Sequence, residues 1–434
     1  MKHFRKILIA LGILIVCFAI YLIAAYVNDR CTLEGHKTVI CIPVYGQSLA
    51  LGEEANRITD FDSLKIKYDG RIVTECLDYG FGFIDDSVKK QRIKKLLRYR
   101  KRSFELSLYS MAETLASQLG KDTMICIFPG GRGMSCIDSI NKPNPVYNKF
   151  LYEVKYAFEE SQKRGWDFRV PAICWMQGES DIIDYTNVNY KERLKQFCTD
   201  VSKDIKAITH QKNDIKIICY QSNVLTRAED FNANNYDCIE MKPAQAIVDL
   251  IKEDSLFWAS GPTYPYSFIN ERLHIDAIGQ QTIGKLDAIA VMKIIKGQHK
   301  IYGLTPRSIT TEKNDILIHM TVPCPPMVFD TTSVMPIDHY GFSVITKNNE
   351  NIISSVKIEG DTIRLICSKS PQDCEIRYAV NGDWMKSGNL HGPRGNLRDS
   401  QGNGIYFSIA GERHPVHNWC YQFNIHFNSN TSEQ

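Results

Sequence analysis

A serine, a glycine-rich turn, an amide-and-acid cluster and a carboxylate–histidine pair lie far apart in this chain, and the first three each follow an apolar, strand-like run. Residues 39–45 lead into Gly46-Gln47-Ser48, and residues 124–128 into Pro129-Gly130-Gly131-Arg132-Gly133. Residues 171–175 lead into Met176-Gln177-Gly178-Glu179-Ser180-Asp181. Further on, Glu271 stands three residues before His274. A hydroxyl, a glycine backbone, an amide and an acid–base pair are the parts acyl transfer needs. In an open α/β sheet all of them gather at the carboxyl ends of the strands, where such sheets bind ligands.

Each residue also has a plainer reading. Ser48 fits the N-cap of a helix beginning Leu49-Ala50-Leu51, and becomes a nucleophile only with a base in reach. His274 is the natural base, because the only other histidine between His36 and His299 is His210, in a polar loop. It also fits a cap on the helix that follows. On one tight turn Glu271 would fix the imidazole tautomer and stabilise the imidazolium; otherwise it is a surface acid paired with Arg272 or Lys285. The glycines at Gly131 and Gly133 let a backbone N–H approach an oxyanion, or simply make a turn. Gln177 offers a side-chain N–H to the same oxyanion. Glu179 and Asp181, two positions apart, make a poor glycosidase pair, and Glu179 fits better as a carboxylate that orients loops by accepting backbone N–H groups.

Strand-like and helix-like runs alternate between about Thr38 and Gly297. Helical spacing marks residues 104–119, 146–157, 189–208 and 277–295, and residues 215–220 form another buried-strand candidate. This alternation predicts a parallel sheet covered on both faces. Beyond about Lys300, period-two runs punctuated by Gly, Asn and Pro predict a β-rich, sandwich-like unit. The expected division is an N-terminal segment over 1–30, an α/β domain over 31–300 and a β-rich accessory domain over 301–434. The 394–400 string of the last unit either faces a ligand or satisfies its own polar groups.

The N-terminus pairs Lys2, Arg5 and Lys6 with an uncharged apolar run over 7–27. That is the length of a bilayer-crossing helix, roughly 20 residues, and exceeds an ordinary signal h-region of about 7–15. The basic flank stays cytoplasmic, so the remainder is expected outside the cytoplasm on a transmembrane signal anchor, or secreted if cleavage occurs near Ala24-Ala25. Cys17 and Cys31 follow Val and Arg, which argues against a lipoprotein site. Of 14 cysteines, Cys41, Cys126, Cys174, Cys219 and Cys367 sit in strand runs as small hydrophobes. No spacing resembles a zinc site, and a Cys367–Cys374 bridge would span a hairpin. A net charge of +3 is too weak a bias to imply nucleic acid. The basic stretch over 89–102 fits a solvated face, or contact with anionic lipid or an acidic glycan.

Taken in order, Gly46-Gln47-Ser48, the 131–135 segment, Trp175-Met176-Gln177-Gly178-Glu179-Ser180-Asp181 and Glu271-Arg272-Leu273-His274 resemble the blocks of the sialate O-acetylesterase and acetylxylan esterase branch of the SGNH hydrolases. The resemblance spans roughly 39–295, and the Trp-x-Gln-Gly-Glu-x-Asp string is its most specific part. It implies a three-layer α/β/α fold, no metal or organic cofactor, and removal of acetyl groups from a carbohydrate. It casts Ser48 as nucleophile, His274 as base, Gln177 as an oxyanion donor and Gly133, with Gly131 second, as the oxyanion glycine. Gln47 and Glu179 join them as substrate-binding or oxyanion residues. Two positions depart from the family pattern. Glu271 replaces the usual Asp, with Asp276 the next candidate acid, and Gly133-Met134 stands where Gly-Gly is common. The expected function is a serine esterase acting on an acetylated carbohydrate. A glycan-binding module without turnover and an acetyl transfer to a second sugar are the alternatives.

Overall fold

The computed structural model describes residues 14–20, 35–73, 104–183, 188–223 and 242–428. The basic stretch over 89–102 lies outside them, as does most of the apolar run over 7–27. Of that run, residues 14–20 are helical, with apolar side chains exposed. Among the described residues, no helix is long and apolar enough to cross a membrane, so the expected transmembrane helix has no counterpart there.

The α/β part is built on a seven-stranded sheet. Its strands are β1 (Thr38–Gly46), β2 (Ile72–Val73), β3 (Thr123–Gly131), β4 (Asp167–Arg169), β5 (Ala172–Met176), β6 (Lys216–Gln221) and β7 (Phe257–Pro262). The order is β2-β3-β1-β5-β6-β7, with β4 also on β1, and every pairing is parallel. Both faces are covered, as near-continuous apolar strands require. On β1, Val39, Cys41 and Tyr45 face one core and Ile40, Ile42 and Val44 the other. The first core receives helices Pro145–Gln162, Tyr190–Thr209 and Lys242–Glu253 through residues such as Phe150, Phe197 and Ile247. The second receives Ser107–Gln118 and Ala277–Ile295 through Met111, Leu115, Ile283 and Val291. The expected α/β/α layering is present.

Beyond it, a four-stranded sheet (Thr305–Glu312, Asp315–Thr321, Ile353–Glu359, Thr362–Cys367) and a three-stranded sheet (Phe342–Thr346, Asp373–Tyr378, Phe423–Asn428) share one core. Cys367 and Cys374 are both buried and free, on strands of different sheets, so no bridge joins them. The 394–400 string turns inward. Arg394 donates to the carbonyls of Met335, Gly392 and Pro336, and Asn396 to those of Asp330 and Val334. It satisfies its own loop.

The ends of β1, β3 and β5 approach so closely that glycine is required there. A Cβ on Gly46 would lie 1.8 Å from the Met176 carbonyl oxygen, and one on Gly131 1.8 Å from that of Gly46. Gly131 also has φ +108°, a conformation that side chains disfavour. Gly120, by contrast, faces open space. We expect Gly46→Ala to cost about 2–4 kcal/mol in chemical denaturation, and Gly120→Ala to stay within about 0.5 kcal/mol of the parent.

Candidate active site

Ser48 follows directly from this junction. Gln47 N–H donates to the Met176 carbonyl at 3.0 Å, and the chain then turns through the short 3-10 helix Ser48–Leu51. Ser48 is buried and is the first residue of that turn, whose N-cap position falls to Gln47 and not to Ser48. Gly52 ends the turn in the left-handed region, φ +67°, and delivers Glu53 and Glu54 back toward the strand ends. Among the described residues, neither the Ser48 N–H nor the Gly133 N–H has a hydrogen-bond acceptor. Unengaged backbone donors at a strand edge are the groups an oxyanion site requires.

His274 closes a tight loop. Ile269 N–H donates to the His274 carbonyl at 2.8 Å, and Phe268 pairs with Ile275. The following helix, Ala277–Ile295, is capped by Asp276, whose carboxylate accepts from Gly279 N–H at 2.7 Å. The capping role therefore belongs to Asp276, which is not bonded to His274. His274 Nδ1 instead meets Glu54 Oε2 at 2.7 Å, and this leaves Nε2 as the ring nitrogen available to a hydroxyl. In the same neighbourhood, Glu53 and Glu179 both feel the charge of His274. Glu53 also lies against Gly133, where an added Cβ would come within 2.6 Å of its Oε1. The stretches carrying Ser48, Gly133, Glu179 and His274 thus meet at one edge of the sheet. Among the described residues no hydrogen bond joins Ser48 to His274.

Glu271 does not hold His274. Asn270 and Glu271 both adopt positive φ, 53° and 52°, which puts Glu271 at the loop tip. There its Oε2 meets His391 Nδ1 at 2.7 Å and Lys386 Nζ at 3.5 Å, and the bond to His391 lowers its pKa. The pairings with Arg272 or Lys285 are not formed, and Lys285 bonds Glu113. The spacing from Glu271 to His274 suggested an acid–base pair, but the left-handed tip and the β-rich part dispose of that carboxylate elsewhere.

The Gln177 segment also differs from expectation. Gln177 Nε2 donates to the Ser135 carbonyl at 3.0 Å and to Asp181 Oδ2 at 2.6 Å, while its Oε1 accepts from Tyr190. Both amide hydrogens are engaged, so Gln177 offers none to an oxyanion here. Instead it ties the 131–135 turn to the end of β5. The loop-orienting acid is Asp181, which accepts from Ile137 N–H at 2.8 Å, and not Glu179. Gln47 Oε1 accepts from the N–H groups of Gly178 and Ser180 at 3.4 and 3.2 Å, so it braces the strand ends. Of the two glycines, Gly131 serves the close strand contact, while Gly133 keeps the unengaged N–H. The residues that spacing did not single out are Glu53 and Glu54; the signal was two acids immediately after Gly52.

Glu179 is fully buried beneath the site. It is hydrogen-bonded to Tyr220, and among the described residues its second oxygen has no partner. Burial raises its pKa to about 7, against the opposing pull of the Tyr220 hydroxyl and of His274. A carboxyl whose pKa is higher folded than unfolded holds a proton that the unfolded chain has already lost. Its contribution therefore favours folding at low pH and declines as pH rises from about 4.5 to about 7. We expect Glu179→Gln to gain melting temperature relative to the parent progressively as pH is raised through that window; a difference independent of pH would contradict the assignment.

Residues 106–293 match the family described as carbohydrate esterase, sialic acid-specific acetylesterase. Among solved structures, the carbohydrate acetylesterase XAC1771 from Xanthomonas citri superposes with a TM-score of 0.55 at 13% identity, over 89% of this chain and 80% of that one. NanS aligns at 14% identity with a TM-score of 0.42, over 61% of this chain and 100% of its own. A protein from Arabidopsis thaliana aligns at 16% identity with a TM-score of 0.41, over 59% of this chain and 98% of its own. No curated protein matches the chain. With an α/β/α fold, and with the serine, glycine and histidine blocks gathered at one sheet edge, residues 106–293 are similar to the sialic acid-specific acetylesterase family of carbohydrate esterases, and the chain is a carboxylic ester hydrolase.

Proposed function

We propose that the chain removes O-acetyl groups from a carbohydrate through an acyl-enzyme formed on Ser48. The observation that carries this reading is the pair of N–H groups, Ser48 and Gly133, unengaged among the described residues, at the edge to which Glu54 and Gln280 also tie the His274 loop. Ser48 Oγ attacks the acetyl carbonyl carbon and gives its proton to His274 Nε2. The carbonyl oxygen becomes an oxyanion that accepts from the two backbone donors. As the tetrahedral species collapses, the bond to the sugar oxygen breaks and His274 returns the proton to that oxygen. Water then adds to the acetyl-serine with His274 again as base, and acetate leaves with Ser48 restored. Engaged as it is, Gln177 supports this site by holding the 131–135 turn in place.

Localisation follows the sequence alone. An extracytoplasmic enzyme on an N-terminal anchor is supported by the basic flank and by the apolar run over 7–27. The full-length chain is expected to stay with membranes through an alkaline carbonate wash, and its release would argue for cleavage or a soluble form.

The decisive test of the chemistry is a panel of acetylated glycans and an activated acetyl ester. The parent should release acetate, and Ser48→Ala should lose at least ~10³-fold in kcat, as removal of a nucleophile does. Equal acetate release by Ser48→Ala would reject the nucleophile. A product in which an added sugar acceptor carries the acetyl group would favour transfer over hydrolysis.

A further inference from the structure

We propose that Glu54, delivered by the same turn as the nucleophile, is the positioning residue that orients His274. This inference rests on the reading of Ser48 and His274 as nucleophile and base. Glu54 meets His274 Nδ1 at 2.7 Å, whereas Glu271 meets His391 at the same distance. A carboxylate on Nδ1 fixes the tautomer that leaves Nε2 a proton acceptor, and stabilises the imidazolium once the Ser48 proton has arrived. Nucleophile and orienting acid thus come from one short segment, Ser48 to Glu54, and the base comes from another.

The backbone around Glu54 is built to hold it. Glu54 has φ 65°, an uncommon conformation for a side-chain-bearing residue, and such outliers persist where their surroundings fix them. Gly52 packs with no room for a Cβ, which would lie 2.0 Å from the Glu105 carbonyl oxygen. Glu105 N–H donates to the Ala55 carbonyl at 2.9 Å. The buried Glu105 carboxylate accepts from Ile58 N–H, Thr59 N–H, the Thr59 hydroxyl and Gln281 Nε2. Both flanks of Glu54 are therefore pinned to the body of the α/β part. On the histidine side, Gln280 of the helix after His274 donates to the Leu49 carbonyl at 3.0 Å. The turn carrying Ser48 and the loop carrying His274 are thus locked to each other.

Among the described residues, three carboxylates interact with His274: Glu54 by a hydrogen bond, and Glu53 and Glu179 through charge. Only Glu54 is hydrogen-bonded to it. The Glu54 side chain is 60% exposed, so as a surface pair it adds little to folding. This separates a role in positioning from a role in stability.

The test compares Ser48→Ala, Glu54→Gln, Glu53→Gln and Glu271→Gln in the full chain, with acetate release from an activated acetyl ester as readout. Glu54→Gln should lose roughly 10²–10⁴-fold in kcat, the range spanned by a misoriented base. Its KM should stay within about threefold and its melting temperature within about 2 °C of the parent. Glu271→Gln should keep kcat within about threefold, and Glu53→Gln should keep more than about a tenth of it, since neither carries the bond to Nδ1. A Glu54→Gln enzyme with parental kcat, beside an inactive Ser48→Ala, would overturn this inference alone. Activity surviving in Ser48→Ala would overturn the proposed function and this inference with it.

Discussion

The carboxyl ends of β1, β3 and β5 close on one another with no space for a side chain between them, and the site depends on that contact. The Gly46 and Gly131 backbones lie against neighbouring carbonyls at distances that exclude even a methyl group. This brings three separate strand exits to one point of the sheet edge. Ser48 leaves the first, Gly133 the second and the Gln177–Asp181 segment the third. Polar side chains then fasten the exits together: Gln47 to the Gly178 and Ser180 amides, Gln177 to the Ser135 carbonyl, and Asp181 to the Ile137 amide. Each bond is buried, where a satisfied network rigidifies and a broken one is costly.

His274 arrives by a different route, at the start of a long buried helix rather than at a strand exit. Its position is set by two kinds of constraint. Locally, the Ile269–His274 backbone bond and the Asp276 cap fix the loop. At longer range, Gln280 and Gln281 on the first turns of that helix reach back to Leu49, Thr59 and Glu105. Helix and turn are thereby held in one register, which proximity catalysis demands, since small misplacements of a base cost large factors in rate.

The layered fold was legible because its signals are local. Apolar runs ending in polar motifs marked β1, β3 and β5, and the helix Ala277–Ile295 has the bounds its periodicity and Gly297 indicated. Ser48, Gly133 and His274 each lie on or beside a recognisable motif, and the stretches that carry them meet at one sheet edge. What escaped was set by contacts between distant segments. Glu271 looked like the partner of His274 at a spacing of three, but its direction depends on His391, 120 positions away. Glu54 acquires its contact through a left-handed backbone and a loop pinned by Glu105, neither of which has a periodic signature. Spacing leaves the side-chain amide of Gln177 free for an oxyanion, whereas the fold sets its acceptors, Ser135 and Asp181, beside it.

The β-rich part is joined to the histidine loop by backbone as well as by side chains. Ser387 N–H donates to the Glu271 carbonyl at 2.9 Å and Asn389 N–H to that of Tyr266 at 3.2 Å. Gln221 and Gln422 exchange bonds deeper in the seam, and Tyr264 reaches the Cys420 carbonyl. The appendage is therefore a splint on the loop that carries His274. Sequence drift within it, far from any reacting atom, has a mechanical path to the imidazole, so lineages that exchange or trim this module would be expected to retune their esterase rather than merely lose a decoration.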